Sequence, residues 1–467
     1  MGAEGLLEVI GQLEGLALPP ELWESAIFPA RVRDYGPALM DDLLASGQVV
    51  WVGSDQGEGP LGAMTFYLAE DLDEELPAQS AGPPSATNGV GKSGKAGKVG
   101  DLEAILLGVL ADGGAYRFDR LLRACASRGG DDIESPVSET SDQEALARSL
   151  WDLVRRGLVT NASLAPVRRL VRGSGSPTSG RTRRLPHGLR GHGRSLARAA
   201  LARAAGSSAL SAAAEGFWTL VADERSAARG AAGTGMADAN HKLSGGQDDD
   251  RERTVRLVHD EQAILDRYGL LAPILPEVRS LPGGFSALYQ VCRRMEEAGQ
   301  LTRGVIVDGF GGAQFAPREV IDQLRGFQED EGNDDGEGGS KQRPSEPVVM
   351  DVTDPANLYG TALAWPATSG DGGGRPIRRM GNLLVQNRGR ALVYAAPKGH
   401  HLLVFGEPER GLLEAAFAQL ASWLRRGGQG RILFSDANGR PLTMREPVGM
   451  ALAAAGFTAG PGGMALY

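Results

Sequence analysis

Three times along this chain a helical stretch ends in glycine and runs at once into a β-prone segment. The copies are Leu39-Met-Asp-Asp-Leu-Leu-Ala-Ser-Gly-Gln-Val-Val-Trp, Ser149-Leu-Trp-Asp-Leu-Val-Arg-Arg-Gly-Leu-Val-Thr-Asn and Val291-Cys-Arg-Arg-Met-Glu-Glu-Ala-Gly-Gln-Leu-Thr-Arg. Aligned on Gly47, Gly157 and Gly299, apolar residues coincide seven and four positions before the glycine and two after it. The first two share one helix face. Glycine supplies the left-handed turn that ends a helix, and the third apolar residue anchors the strand that follows. A repeated unit of this kind points to tandem small modules rather than one large catalytic core.

Helix, glycine, strand is the junction between the last helix of a winged helix-turn-helix and its first wing strand. Module one spans 3–72: Leu6, Leu7, Val9, Ile10 and Leu13 give an apolar helix face. A short helix follows from Pro20 to about Phe28, a third starts near Pro37, and Val49–Gly53 and Ala63–Leu68 alternate as strands. Residues 73–100 read as a Pro/Ala/Gly/Ser/Lys linker. Module two covers 101–171, with a polar insertion at 128–142, a last helix at 143–156 and a short wing. Residues 172–250 read as a basic, low-complexity linker holding a short helix and the anchored strand Phe217-Trp-Thr-Leu. Module three covers 251–327, with helices at 259–268, 273–278 and 284–298 and a wing at 302–308 and 313–316; 328–345 is an acidic linker. Short strand runs and two helices in 346–467 predict a β-rich C-terminal domain. The fold class expected is α+β: tandem winged helices followed by a small β-barrel-like domain.

A chain of 467 residues is long enough for about three or four such domains. Its net charge of −9 argues against a uniformly basic nucleic-acid binder, but the distribution does not. Residues 168–203 carry ten arginines and no acid, and such a stripe neutralises phosphates even within an acidic protein. The two cysteines fall in different modules, with no disulfide or zinc spacing. No apolar run reaches a membrane span, and the N-terminus lacks the pattern of a signal peptide. These features lead us to expect a cytoplasmic, nucleoid-associated protein with no metal or cofactor and no membrane partner.

The third helix of a winged helix enters the major groove. In module three it would offer Ser286, Gln290, Arg293 and Arg294, with Arg303 at the start of the wing. In the stripe, Arg181, Arg183, Arg184, Arg190, Arg194 and Arg198 are the candidate phosphate contacts. Ala86-Thr-Asn-Gly-Val-Gly-Lys-Ser loosely fits a phosphate loop. It lies in a Pro/Ser/Gly stretch rather than between a strand and a helix, so it is not read as a nucleotide site. The most specific stretch is Val349-Met-Asp-Val-Thr-Asp-Pro-Ala-Asn-Leu-Tyr-Gly-Thr-Ala-Leu-Ala-Trp-Pro. There Asp351 and Asp354 would position a water and Tyr359 and Trp365 would stack on a base. The bland alternative is a capped turn with aromatics plugging a core. His400 and His401 are adjacent, so on a strand they would face opposite ways and could not chelate one metal.

These residues carry a resemblance. Leu16-Ala-Leu-Pro with Val49-Val-Trp-Val-Gly, Leu150-Trp-Asp-Leu-Val with Val159-Thr-Asn and Leu164-Ala-Pro, and Phe217-Trp-Thr-Leu resemble the C-terminal region of Lhr, a family of large helicase-related proteins of superfamily 2. So do Pro282-Gly-Gly-Phe-Ser, Met295-Glu-Glu-Ala-Gly, Gly312-Ala-Gln-Phe-Ala and Asp354-Pro-Ala-Asn-Leu-Tyr-Gly with Trp365-Pro. In that family an ATP-driven motor precedes this region, and its Walker motifs are absent from these residues. The resemblance implies binding of DNA or a DNA–RNA duplex, a role in DNA repair and partnership with a helicase core, with these residues either a fragment of the longer protein or a separate gene product. The region is also similar to AlkZ-type DNA glycosylases, which use a Gln-x-Gln or Gln-x-Asp motif; Gln314-Phe315-Ala316 carries only its first polar residue. A glycosylase, with Asp354 and then Asp351 as the carboxylate, is therefore the alternative, and a scaffold for the helicase core is a second.

Overall fold

A computed structural model of the chain describes residues 2–57, 59–72, 96–128, 139–174, 214–221, 247–332, 346–368, 374–427 and 430–467. They form two compact units. One comprises residues 1–24 and 32–245, the other residues 25–31 and 246–467.

The three glycine junctions share one conformation. Gly47, Gly157 and Gly299 have φ of 73°, 69° and 77°. In each, the next residue's N–H donates to a carbonyl of the preceding helical turn: Gln48 to Leu43, Leu158 to Leu153 and Gln300 to Met295, at 3.2, 3.1 and 2.9 Å. This closure satisfies carbonyls that a helix end leaves open, in a region of φ that glycine enters without a Cβ penalty. Met40, Leu43 and Val49, Leu150, Leu153 and Val159, and Cys292 and Leu301 are all buried. Met295 is partly buried against the third core.

In the first unit, α1 (Gly2–Gln12) and α2 (Pro37–Ala45) pack beside the hairpin β1 (Val49–Ser54) and β2 (Ala63–Leu68). The helix expected from Pro20 to Phe28 is helical, with a π-turn at Trp23–Ile27. Module two contains α3 (Ala96–Leu110), β3 (Tyr116–Arg117), α4 (Phe118–Arg128), α5 (Glu139–Arg155), β4 (Val159–Asn161), α6 (Ala165–Ser174) and β5 (Phe217–Leu220). The sheet order is β3-β5-β4, with Val159 opposite Leu220 and Asn161 opposite Trp218.

The strand that the sequence places alone inside a linker is therefore the second wing strand. The wing is short only in its strands, because everything from 162 to 216 is inserted between them. Local pattern could not reveal this, since antiparallel partners so far apart in sequence leave no turn signature. Trp218 packs edge-on against Trp151 with ring centroids 5.4 Å apart, which explains why an aromatic anchors the returning strand.

Modules one and two share a core. The Trp51 indole N–H donates to the Asn161 carbonyl at 2.8 Å, and the Thr160 hydroxyl donates back to the Trp51 carbonyl at 2.6 Å. Arg168 donates to Glu24 at 2.7 Å and to Asp41 at 2.5 Å. The first arginine of the basic run thus serves as an internal clasp.

In the second unit, module three consists of α7 (Gln247–Tyr268), α8 (Pro276–Ser280), α9 (Gly284–Glu297), β6 (Thr302–Gly304), β7 (Gln314–Ala316) and α10 (Arg318–Gly332). Leu271 bridges Phe315, so the two-stranded wing gains a third, one-residue strand on the far side of β7. Its core includes Ile264, Leu271, Leu288, Cys292 and Phe315.

The C-terminal domain corrects the expectation of a barrel. Its strands are β8 (Val348–Asp351), β9 (Leu383–Asn387), β10 (Arg390–Ala396), β11 (His401–Val404), β12 (Ile432–Phe434), β13 (Asp436–Ala437), β14 (Arg440–Pro441), β15 (Thr458–Gly460) and β16 (Gly463–Leu466). They form an open six-stranded sheet of order β14-β13-β11-β10-β9-β8 and a separate three-stranded sheet, β12-β16-β15, and neither closes. Alternation sorts the large sheet into two faces. Val385, Val393 and Val404 pack with Leu413, Phe417 and Leu420 of α11 (Arg410–Arg426). Leu384, Tyr394 and Phe405 face the other way, where Tyr359 and Trp365 cover them. A helix on one face and an aromatic loop on the other bury both sides without closure. Short runs of β-prone residues look the same in a barrel and in such a sandwich, so the sequence could not separate them.

Candidate nucleic-acid interface

Helix α9 is amphipathic in the way a recognition helix requires. Leu288 and Cys292 are buried in the module core, while Ser286, Gln290, Arg293 and Arg294 are exposed. All four sequence candidates therefore lie on the solvent side of one helix. Arg293 lies 3.2 Å from Glu297 one turn later, a surface pair weak enough to yield to a phosphate.

Arg303, at the first wing strand, donates to the Tyr289 hydroxyl at 2.9 Å and lies 3.3 Å from Glu296. It ties the wing to the helix. The loop that follows hangs on Gln314, whose side chain is fully buried. Its Oε1 accepts the N–H groups of Ile306 and Val307 at 3.1 and 2.8 Å, and its Nε2 donates to the Val307 carbonyl at 2.8 Å.

The Asp-Pro-Ala-Asn stretch is built around its polar side chains. Asp351, at the end of β8, is buried and accepts from the Thr353 N–H (2.9 Å), the Thr353 hydroxyl (2.6 Å) and the Gly381 N–H (2.7 Å). Burial pushes its pKa above the usual carboxylate range, against the pull of those three donors. Asp354, 1% exposed, meets Arg31 head-on, each carboxylate oxygen 2.8 Å from a guanidinium nitrogen. It also caps the Ala356 N–H at 2.8 Å. Asn357 donates to the Val352 carbonyl and accepts the Tyr359 N–H, at 2.8 and 3.0 Å. For either carboxylate to steer a water, the water would have to reach a side chain that is only 3% or 1% exposed. No pattern in the sequence announced Arg31 as the partner, since it lies 323 positions away.

Trp365 stacks with two rings: Tyr359 lies at 5.7 Å between centroids and 21° between planes, Phe405 at 6.0 Å and 13°. Tyr359 also donates to the Gly389 carbonyl at 2.9 Å. Both Tyr359 and Trp365 are half-buried in this aromatic cluster. Leu358 and Leu363 pack against the module-three core, so this loop and the winged helix belong to one unit. His400 sits in a left-handed turn (φ 60°) and bonds to Leu433, while His401 begins β11. Arg181, Arg183, Arg184, Arg190, Arg194, Arg198 and the Ala86–Ser93 stretch lie outside the described residues.

The winged-helix domain of the large helicase-related protein, in its fourth-domain form, matches residues 250–336, and the third-domain form matches residues 1–69. Lhr helicase/uracil glycosylase of Escherichia coli is 32% identical over 99% of this chain, which covers 26% of that protein. Lhr helicase/probable uracil glycosylase of Mycolicibacterium smegmatis is 32% identical over 100% of the chain and 27% of its own length. The chain is a C-terminal-type region of the Lhr family. It spans about a quarter of the length of the Lhr proteins it matches. The helix α9 and its wing thus lie within the stretch that matches the fourth Lhr winged-helix domain. Among the described residues no helix is long and apolar enough to cross a membrane.

Proposed function

We propose that this region grips nucleic acid for an Lhr-type helicase. DNA or a DNA–RNA duplex lies against the exposed face of α9, and the arginine-rich insertion of module two adds phosphate contacts. The observation that carries this reading is the pairing of a buried apolar stripe on α9 with Ser286, Gln290, Arg293 and Arg294 on its open face. The helicase core is the partner, and DNA repair is the process in which the pair would act.

Fluorescence anisotropy with a labelled duplex tests it. Binding should weaken steeply with salt. Changing Arg181, Arg183, Arg184, Arg190, Arg194 and Arg198 together to Ala should lower affinity at low salt at least about tenfold. If all six meet phosphate, the log–log salt slope should shrink by about 5. No measurable binding by the wild-type chain at low salt would remove the reading and favour a scaffold for the helicase core.

A second reading follows from the relatives' names, both of which carry uracil glycosylase. In it a flipped base is excised with a carboxylate steering water at an oxocarbenium-like sugar, Asp354 first and Asp351 second. Excision from uracil-containing DNA should then be lost in Asp354→Asn. Excision that survives the change frees Asp354 of the role.

A further inference from the structure

The wing of module three ends in a side chain with no packing reason to be there. Val305 is 79% exposed, more than any other large apolar side chain among the described residues. A lone surface valine is ordinary on a floppy loop, but this loop is anchored on both sides of it. Before it, Gly304 is paired with Gln314 in the hairpin register. After it, Ile306 and Val307 are held by the buried Gln314 amide and pack partly on the module core. Phe310 then plugs the loop back into that core. The backbone on either side is fixed, and the isopropyl group is held out into water.

We propose that Val305 is a wedge that inserts between base steps of a bound duplex, with Gln314 as its positioning residue. This rests on the nucleic-acid reading above and deepens it. Proteins that deform duplexes commonly do so with an apolar side chain pushed into a step from the minor groove, beside basic residues that hold the backbone. Here Arg303 is two residues before the wedge and linked to α9 through Tyr289. A helix in the major groove sets the wing against the adjacent minor groove, and Val305 opens the wing loop directly after β6. The wedge itself forms no hydrogen bond to a base edge. It therefore acts without base preference and favours flexible or mismatched steps, where unstacking costs least.

The test uses the full chain and a duplex carrying 2-aminopurine at successive positions, with anisotropy on the same samples. Wild-type protein should raise 2-aminopurine emission severalfold at one or two neighbouring positions. Val305→Ser should abolish the rise while affinity falls no more than about fivefold, and Val305→Leu should restore it. Gln314→Ala should blunt the rise by loosening the loop. Binding with no emission change, or a rise unaltered in Val305→Ser, overturns the wedge and leaves the nucleic-acid reading standing. Absence of any binding by the wild-type chain overturns both.

Discussion

Replacing Glu261 by Gln is expected to stabilise the second unit at pH 8 by about 3 kcal/mol and to flatten its pH dependence. Glu261 lies on α7 with neither carboxyl oxygen hydrogen-bonded, fully buried. Burial, reinforced by Asp266, pushes its pKa from the usual 4.5 up to about 7. Burial, and after it the charge of the same carboxylate, push the Cys292 thiol on α9 up to about 12.

The sign follows from which state holds the proton. Between pH 4.5 and about 7 the unfolded chain has released it and the folded chain has not. The stability Glu261 contributes is thus complete below the unfolded value and is lost as pH rises through the folded one. A displacement from 4.5 to about 7 corresponds to about 3 kcal/mol at alkaline pH. Urea unfolding of wild type and Glu261→Gln at pH 5 and pH 8 decides the matter. Parallel curves for the two proteins at both pH values would mean that water or rearrangement already solvates the carboxylate.

Removing Arg31 should cost about as much, by a different route. In Arg31→Ala the Asp354 carboxylate keeps its burial and its Ala356 contact but loses both guanidinium bonds. Breaking one side of a buried pair costs about 3–5 kcal/mol. Because Arg31 is partly exposed, solvent reaches the gap and the lower end is expected. Asp354→Asn should cost less, since the charge it leaves unpaired is that of Arg31, which solvent partly reaches, rather than that of the buried Asp354. Arg31→Lys should recover only part of the loss, because an ammonium cannot match both oxygens. Unfolding midpoints of the single and double variants form a cycle that isolates the pair. A change below about 0.5 kcal/mol for Arg31→Ala would show that the contact is not a significant source of stability.

Much of the fold was legible because its signals are local. The glycine junctions, the strand at Val49–Gly53 and the two-faced pattern of α9 are each short-range signals, and the structure has all three, although the strand is buried on both faces rather than alternating. What escaped was long-range. Phe217–Leu220 closes a wing begun at Val159, and Arg31 meets Asp354. Gln314 staples a loop, a role set by hydrogen bonds to backbone that no motif encodes. The C-terminal sheet was legible as strands but not as an open sheet, since closure depends on which strands pair. Of the candidate site residues, those on α9 share one exposed face as the periodicity predicts. The carboxylates were chosen by residue type, which says nothing of the partners burial brings to them.

The insertion in the second module's wing bears on how its arginines would act. Residues 162–216 depart from one strand and return on its neighbour, with Asn161 and Trp218 directly opposite each other. A segment fastened at two adjacent points is a loop, not a tail, and its reach is capped at half its contour. Lengthening such a loop costs only about 0.6 kcal/mol per doubling. Its size and charge can therefore drift between relatives while the winged helix that anchors it stays intact.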